Sequence, residues 1–394
     1  MFEEGLKGLK RKGLLRKLVH IESPFSSESS RTDRTKIFID GQTYTNFSSN
    51  DYLGLSGHPE IIKAAVRALK RYGVGSGASR LLSGSYISHK KLEDRIAKFK
   101  KTEAALVFNS GYAANTGIIP AIAGDDTTIF SDELNHASII DGLRLSKARV
   151  KIYKHMDVIH LERLLKNTSA KKLIVTDTVF SMDGDIAPLK DVVFLSKKYN
   201  AMLMIDDAHG TGVLGKTGRG CLEYFGIRGD DIIQMGTLSK AFGCFGGFAS
   251  GSKDLINFLI NRARSFIYST SLPPAVAEAC IKAIDIVSSE SHNLRKRLWG
   301  NRQRLYQGLK ELGYNTLNSE TQIIPVLVGD IRNTLKIGNY LYRQKIFAPA
   351  IRPPTVPEGK CRMRFSVTAA HTDKDIDLVL ESLRNIKSRI THYA

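Results

Sequence analysis

The chain has 394 residues, 42% of them hydrophobic and 25% charged, which is too long for one ordinary core and implies a large domain with a smaller companion. No apolar run reaches the length of a membrane span, and four cysteines without a C-x-x-C pair give no zinc knuckle or redox couple, so no metal is expected and a reducing, cytoplasmic setting fits. The net charge of +19 is spread along the whole sequence with no basic tail, zinc-finger or RNA-recognition signature, so it reads as a solvated surface able to steer an anionic substrate and not as a nucleic-acid face.

Three regions follow in chain order. Residues 1–45 form an N-terminal arm. Its start, MFEEGLKGLKRKGLLRKL, is basic with Leu6, Leu9, Leu14 and Leu18 at roughly helical spacing. It has no apolar core segment of a secretory signal, and a short docked helix is expected. The low-hydrophobicity stretch ESPFSSESSRTDRT comes next, then KIFIDGQTYTNF, a hairpin turning at Asp40-Gly41. In residues 46–285, strand-length apolar runs at 104–108, 127–130, 151–153, 172–180, 201–207, 232–238 and 246–250 alternate mostly with helical patterns. That alternation predicts an α/β domain with a mostly parallel seven-stranded sheet, whose ligands gather beyond the carboxyl ends of the strands. Residues 286–394 open on a long charged helix. They continue with strands at 323–329, 347–352 and 362–369 and helices over 333–344 and 373–389, a small C-terminal α/β domain.

Two glycine-rich stretches invite a nucleotide reading. GTGVLGKT, from Gly210 to Thr217, has the letters of a P-loop. A P-loop needs a strand running into its first glycine and a helix starting at its Lys-Thr end. Here Ala208 and His209 intervene, and Gly218 and Gly220 follow Thr217; each such glycine costs a helix about 1 kcal/mol relative to alanine. The match is read as accidental. GVGSGASRLLSG (73–84) lacks the glycine spacing of a dinucleotide fingerprint and follows a helical pattern, not a strand.

The chemistry concentrates elsewhere. In TLSKAFG, Lys240 stands just past an apolar strand; alone it is more often a surface charge, but a desolvated amine is a nucleophile that forms a Schiff base with an aldehyde cofactor. In MLMIDDAHG, Asp206 ends an apolar strand, where a carboxylate is costly unless paired. It either caps the next turn or meets a cationic ring such as protonated pyridoxal phosphate (PLP). His209 is an ordinary loop histidine or a partner of the cofactor's phenolic oxygen. His136, in DELNHAS, either caps a helix or stacks on a ring. FNSGYAANTG (108–117) is a strand followed by a helix start, whose N–H groups suit a phosphate beside Ser110 and Tyr112. Each signal is weak singly; their order along the chain is specific.

The motifs NDYLGL, GSGASRLLSG, SGYAAN, DELNHAS, VFSMDGDIAPL, IDDAHGTGVLG, GTLSKAFG, IYSTSLPPA and IRPPTVPEG resemble the α-oxoamine synthases, within the PLP-dependent transferases of fold type I, over nearly the whole chain. The resemblance implies PLP as cofactor, held covalently by Lys240, with Asp206 on its pyridine nitrogen, His209 and Ser181 near its phenolic oxygen and His136 stacked on its ring. It implies Ser110, Gly111, Tyr112 and Thr237 around the phosphate, and Thr270 reaching it from the other subunit of a homodimer. It places Arg364, in RMRF, on the amino acid's carboxylate with Asn50 nearby; a plain strand arginine is the alternative. IRPPTVP and YSTSLPP most resemble members that join L-alanine to a pimeloyl thioester, on CoA or an acyl carrier protein, with loss of carbon dioxide. Glycine with acetyl-CoA, or another acyl chain, remains open.

Overall fold

The structure, a computed structural model, describes residues 2–22, 35–229, 231–289 and 291–387. The stretch ESPFSSESSRTDRT falls almost wholly outside those residues. The described chain divides into two compact units, one of residues 53–181 and 186–294, the other of residues 1–52, 182–185 and 295–394. Residues 1–45, expected as a separate arm, therefore group with the C-terminal segment. The physical reason is pairing: the hairpin β1 (Lys36–Ile39) and β2 (Gln42–Asn46) turns at Asp40-Gly41, both at positive φ, and β2 is joined in parallel by a strand some 300 residues later.

The larger unit is built on seven strands: β3 (Ala104–Phe108), β4 (Thr127–Asp132), β5 (Arg149–Tyr153), β6 (Lys171–Asp177), β7 (Met202–Asp206), β8 (Ile232–Thr237) and β9 (Gly247–Gly251). Their order is β3-β9-β8-β7-β6-β4-β5, with β9 alone antiparallel to its neighbours. The central strands are buried on both faces, which is why they read as continuous apolar runs. Leu106, Ile129, Leu173, Val175, Met204 and Met235 project into one core with Ala114, Ile118 and Ile119 of the Gly111–Ile122 helix.

The smaller unit carries β10 (Ile323–Gly329), β11 (Ile346–Phe347), β12 (Ala350–Ile351) and β13 (Cys361–Ser366). β10, β13 and β12 form an antiparallel sheet, and β11 extends the hairpin sheet. The expected N-terminal helix forms over Phe2–Arg11, and none of its residues is buried within the single chain. Its alternation of glycine and lysine leaves only Phe2, Leu6 and Leu9 as apolar contacts, and all three are exposed. Among the described residues, no helix is long and apolar enough to cross a membrane.

Candidate active site

The carboxyl ends of the parallel strands bring the expected cofactor residues of the larger unit to one edge. Asp206 ends β7 and lies beside Asp177, which ends β6. Thr237 ends β8, and Phe108 of β3 and Thr237 both pair with Gly247. Gly247 is what allows the next step. A Cβ there would stand 2.5 Å from the Ser110 carbonyl oxygen and 2.7 Å from the Gly111 nitrogen. Only a glycine admits the start of the Gly111–Ile122 helix so close to the strand edge.

That helix start is an anion site in waiting. Ser110 is its N-cap, with its hydroxyl accepting from Ala113 N at 3.0 Å. The Thr237 hydroxyl lies 3.8 Å from where a Cβ on Gly111 would be, donates to Gly246 O at 2.8 Å and sits 2.7 Å from Ser239 Oγ. Tyr112 is exposed, and its hydroxyl donates to Asp141. Thr270 is exposed too; it bridges Ser79, and its carbonyl accepts from Asn109 at 2.8 Å.

Asp206 is only 4% exposed. Asn115 donates to its Oδ2 at 2.7 Å and Ala208 N to its Oδ1 at 3.0 Å, but among the described residues no lysine or arginine pairs with it. The next residue differs completely. Asp207 is ion-paired to Lys100 at 2.9 Å, with both side chains buried, and also accepts from Thr178, Thr211 and Cys221 N. A buried carboxylate left without a cation, beside one that has its own, is the donor set that a protonated ring nitrogen completes.

Asp177 is pushed well above the usual carboxylate range, by burial first and then by the charge of Asp206 beside it. Two carboxylates on adjacent strand ends do not both stay charged at low cost. Asp177 also accepts from the His136 backbone N–H at 2.7 Å, which fixes the start of the Ala137–Leu145 helix. His136 caps that helix, its Nδ1 accepting from Ser138 N at 3.2 Å. Its ring is open to solvent yet set among enough protein for desolvation to lower its pKa; Asp206 opposes that shift and Lys240 adds to it. Lys240, half-buried after β8, thus acts electrostatically on both His136 and Asp177. His209 is buried and Ser181 half-buried.

Asn50 and Arg364 belong to the smaller unit. Arg364, on β13, is 8% exposed and donates to Ser366 Oγ at 2.8 Å and to Asn50 Oδ1 at 3.3 Å. Its positive charge acts on the buried Tyr52 hydroxyl, whose pKa burial raises.

Sequence reasoning misses Asn115, Asp177, Ser239, Gly247 and the Lys100–Asp207 pair. The logic that singles out Asp206, a carboxylate ending an apolar strand, applies equally to Asp177. Nothing local marks Lys100, 107 residues before its partner.

The residues fit PLP: a helix start with hydroxyls for the phosphate, an uncompensated buried carboxylate for the ring nitrogen, a histidine ring and a lysine. Fold and site together define a PLP-dependent transferase of fold type I. The chain belongs to the aminotransferase class I and II family, which matches residues 42–383. It is 51% identical to the 8-amino-7-oxononanoate synthase of Geotalea daltonii, over 99% of this chain and 98% of that one. Among solved structures it is similar to SPT with its PLP internal aldimine, at 31% identity and a TM-score of 0.90, covering 98% of this chain and 97% of the other. It is also similar to the 8-amino-7-oxononanoate synthase of Francisella tularensis, at 29% identity and a TM-score of 0.77, covering 88% and 98%.

Proposed function

We propose that this chain makes 8-amino-7-oxononanoate, a step of biotin biosynthesis, by decarboxylating condensation of L-alanine with a pimeloyl thioester of CoA or an acyl carrier protein. The observation that carries the reading is identity of 51% to a synthase of that name along nearly the full length of both chains. The 31% identity to SPT at a TM-score of 0.90 reflects a fold common to the class. The enzyme works in the cytoplasm as a homodimer, with Thr270 supplied across the subunit interface.

When bound, PLP supplies an electron sink for a carbanion at the amino acid's α-carbon. Ser110, Gly111, Tyr112 and Thr237 would hold its phosphate, and Asp206 would keep a proton on its ring nitrogen. His136 would stack on its ring, and His209 and Ser181 would serve its phenolic oxygen. Arg364 and Asn50 receive the alanine carboxylate, a task suited to a guanidinium. Lys240 Nζ takes the proton from alanine Cα and returns one at the end. Between those transfers a carbon–carbon bond forms at the thioester carbonyl, the thiol leaves, and the alanine carboxylate departs as carbon dioxide.

The test is product identification by mass spectrometry, with L-alanine and pimeloyl-CoA in one reaction and glycine and acetyl-CoA in another. The first pair is expected to give the amino ketone and one equivalent of carbon dioxide. Turnover of the second pair alone would replace the reading with that of a glycine acetyltransferase.

A further inference from the structure

The larger unit holds a second concave site that the proposed reaction does not use. It is a cavity of about 510 Å³, lined in part by Lys101, Arg219, Leu222, Ile227, Arg228 and Gln234. That volume lies within the usual range for small-molecule sites. Gln234 precedes Thr237 by three residues on β8, about 10 Å along the strand and away from the cofactor edge.

Gln234 is the informative residue. It is 2% exposed, and among the described residues its amide makes no hydrogen bond. Its register partner on β9, Ser250, is fully buried and its hydroxyl is likewise unpartnered. Buried amides are almost always satisfied, because an orphaned one costs about 1–3 kcal/mol. This one opens into a cavity, so its donor and acceptor are available to a ligand. An amide of this kind pairs bidentately with the edge of a purine.

The mouth is cationic. Lys101 and Arg228 are exposed, and among the described residues neither has a carboxylate partner. Arg219 uses Nε on Thr217 and Nη2 on Glu223, leaving Nη1 undonated. Glu223 is the acid in the lining, and it is committed to Arg219 and Thr217. A neighbouring cleft of about 320 Å³ shares Lys101 and Arg219 and adds Lys98. Leu222 and Ile227 supply an apolar wall for a flat ring. We infer that this cavity binds a purine nucleotide, with the base edge on Gln234 and the phosphates on Lys101, Arg219 and Arg228.

The experiment is calorimetric titration of the PLP-loaded full chain with ADP and, separately, with pyrophosphate. ADP is expected to bind once per chain. Gln234→Leu should weaken it at least tenfold, and the double variant Lys101→Ala/Arg228→Ala should weaken it at least tenfold and flatten its salt dependence. Bound-cofactor absorbance and melting temperature are expected to stay at wild-type values in both variants, which separates a lost site from a lost fold. ADP binding that is absent in the wild type, or equal in all three proteins, overturns the inference. Pyrophosphate binding as tightly as ADP, with no loss in Gln234→Leu, overturns the purine assignment.

Discussion

Asp206 and Asp207 are adjacent in sequence and have opposite fates, and the reason lies in single side chains. Asp207 has its cation in Lys100. Asp206 has instead the amide of Asn115, whose Nδ2 serves both Asp206 and Ser138 while its Oδ1 is buried without a partner. The carboxylate thus dictates how the amide faces, at the expense of an unsatisfied oxygen. Hydrogen bonds to charged groups contribute about 1.5–3 kcal/mol. Replacing Asn115 by leucine is therefore expected to lower kcat by roughly ten- to a hundredfold while PLP remains bound. Steady-state rates and cofactor absorbance on the same sample check this. An unchanged kcat would mean that Asp206 needs no support from the Gly111–Ile122 helix.

At the scale of elements, the loop after β7 shows why its P-loop letters mean nothing. Its glycines serve Asp207: a Cβ at Gly220 would stand 1.7 Å from Asp207 Oδ2, and one at Gly210 would stand 2.3 Å from Oδ1. The next helix is the five-residue Cys221–Phe225, not one that starts at Thr217, and Lys216 is exposed. Lys100→Met leaves Asp207 buried without its cation and is expected to cost about 3–5 kcal/mol in urea unfolding. Lys216→Ala should stay within about 0.5 kcal/mol of wild type and keep bound cofactor. Gly247→Ala should weaken PLP binding by pushing the helix start off the strand edge; equal PLP affinity would show that this close approach is dispensable. The central strands were readable because burial on both faces gives unbroken apolar runs, and the hairpin because Asp-Gly favours its turn. The pairing of β2 with β11, the burial of Lys100 and the need for glycine at 247 depend on residues distant in sequence, so no local pattern announces them. The helix at Phe2–Arg11 was readable from its apolar spacing, and its leucines are not buried within the single chain.

On the scale of the whole molecule, acid sensitivity is built into the smaller unit. His371 is 2% exposed, stacks on Phe47 at 4.1 Å, and accepts from Thr368 N at Nδ1 while its Nε2 faces Asn46 O at 3.1 Å. Those partners specify a neutral ring with its proton on Nε2. Burial pushes its pKa down from 6.5 to about 4, with Asp375 opposing. Between those values the unfolded chain binds the extra proton and the folded one does not. Stability is therefore full above about pH 6.5, falls as pH drops toward 4 and then levels, a loss of about 3 kcal/mol from this group. Urea unfolding across that range checks it, and His371→Gln should flatten the slope.

The order of motifs points to the residues proposed for the cofactor site, whereas the contacts that Asn115 and Asp177 make with Asp206 and His136 join residues distant in sequence and have no local signal. The central claim is that Lys240 and the residues around Asp206 hold PLP and pass an alanine proton. The most direct measurement is the visible absorption spectrum of purified protein before and after L-alanine, for wild type and Lys240→Ala. The wild type is expected to be yellow with a band that shifts on adding L-alanine, and the variant to lack that native cofactor band. A wild-type protein that stays colourless when supplied with PLP, or a variant with an unchanged band and response, would contradict it.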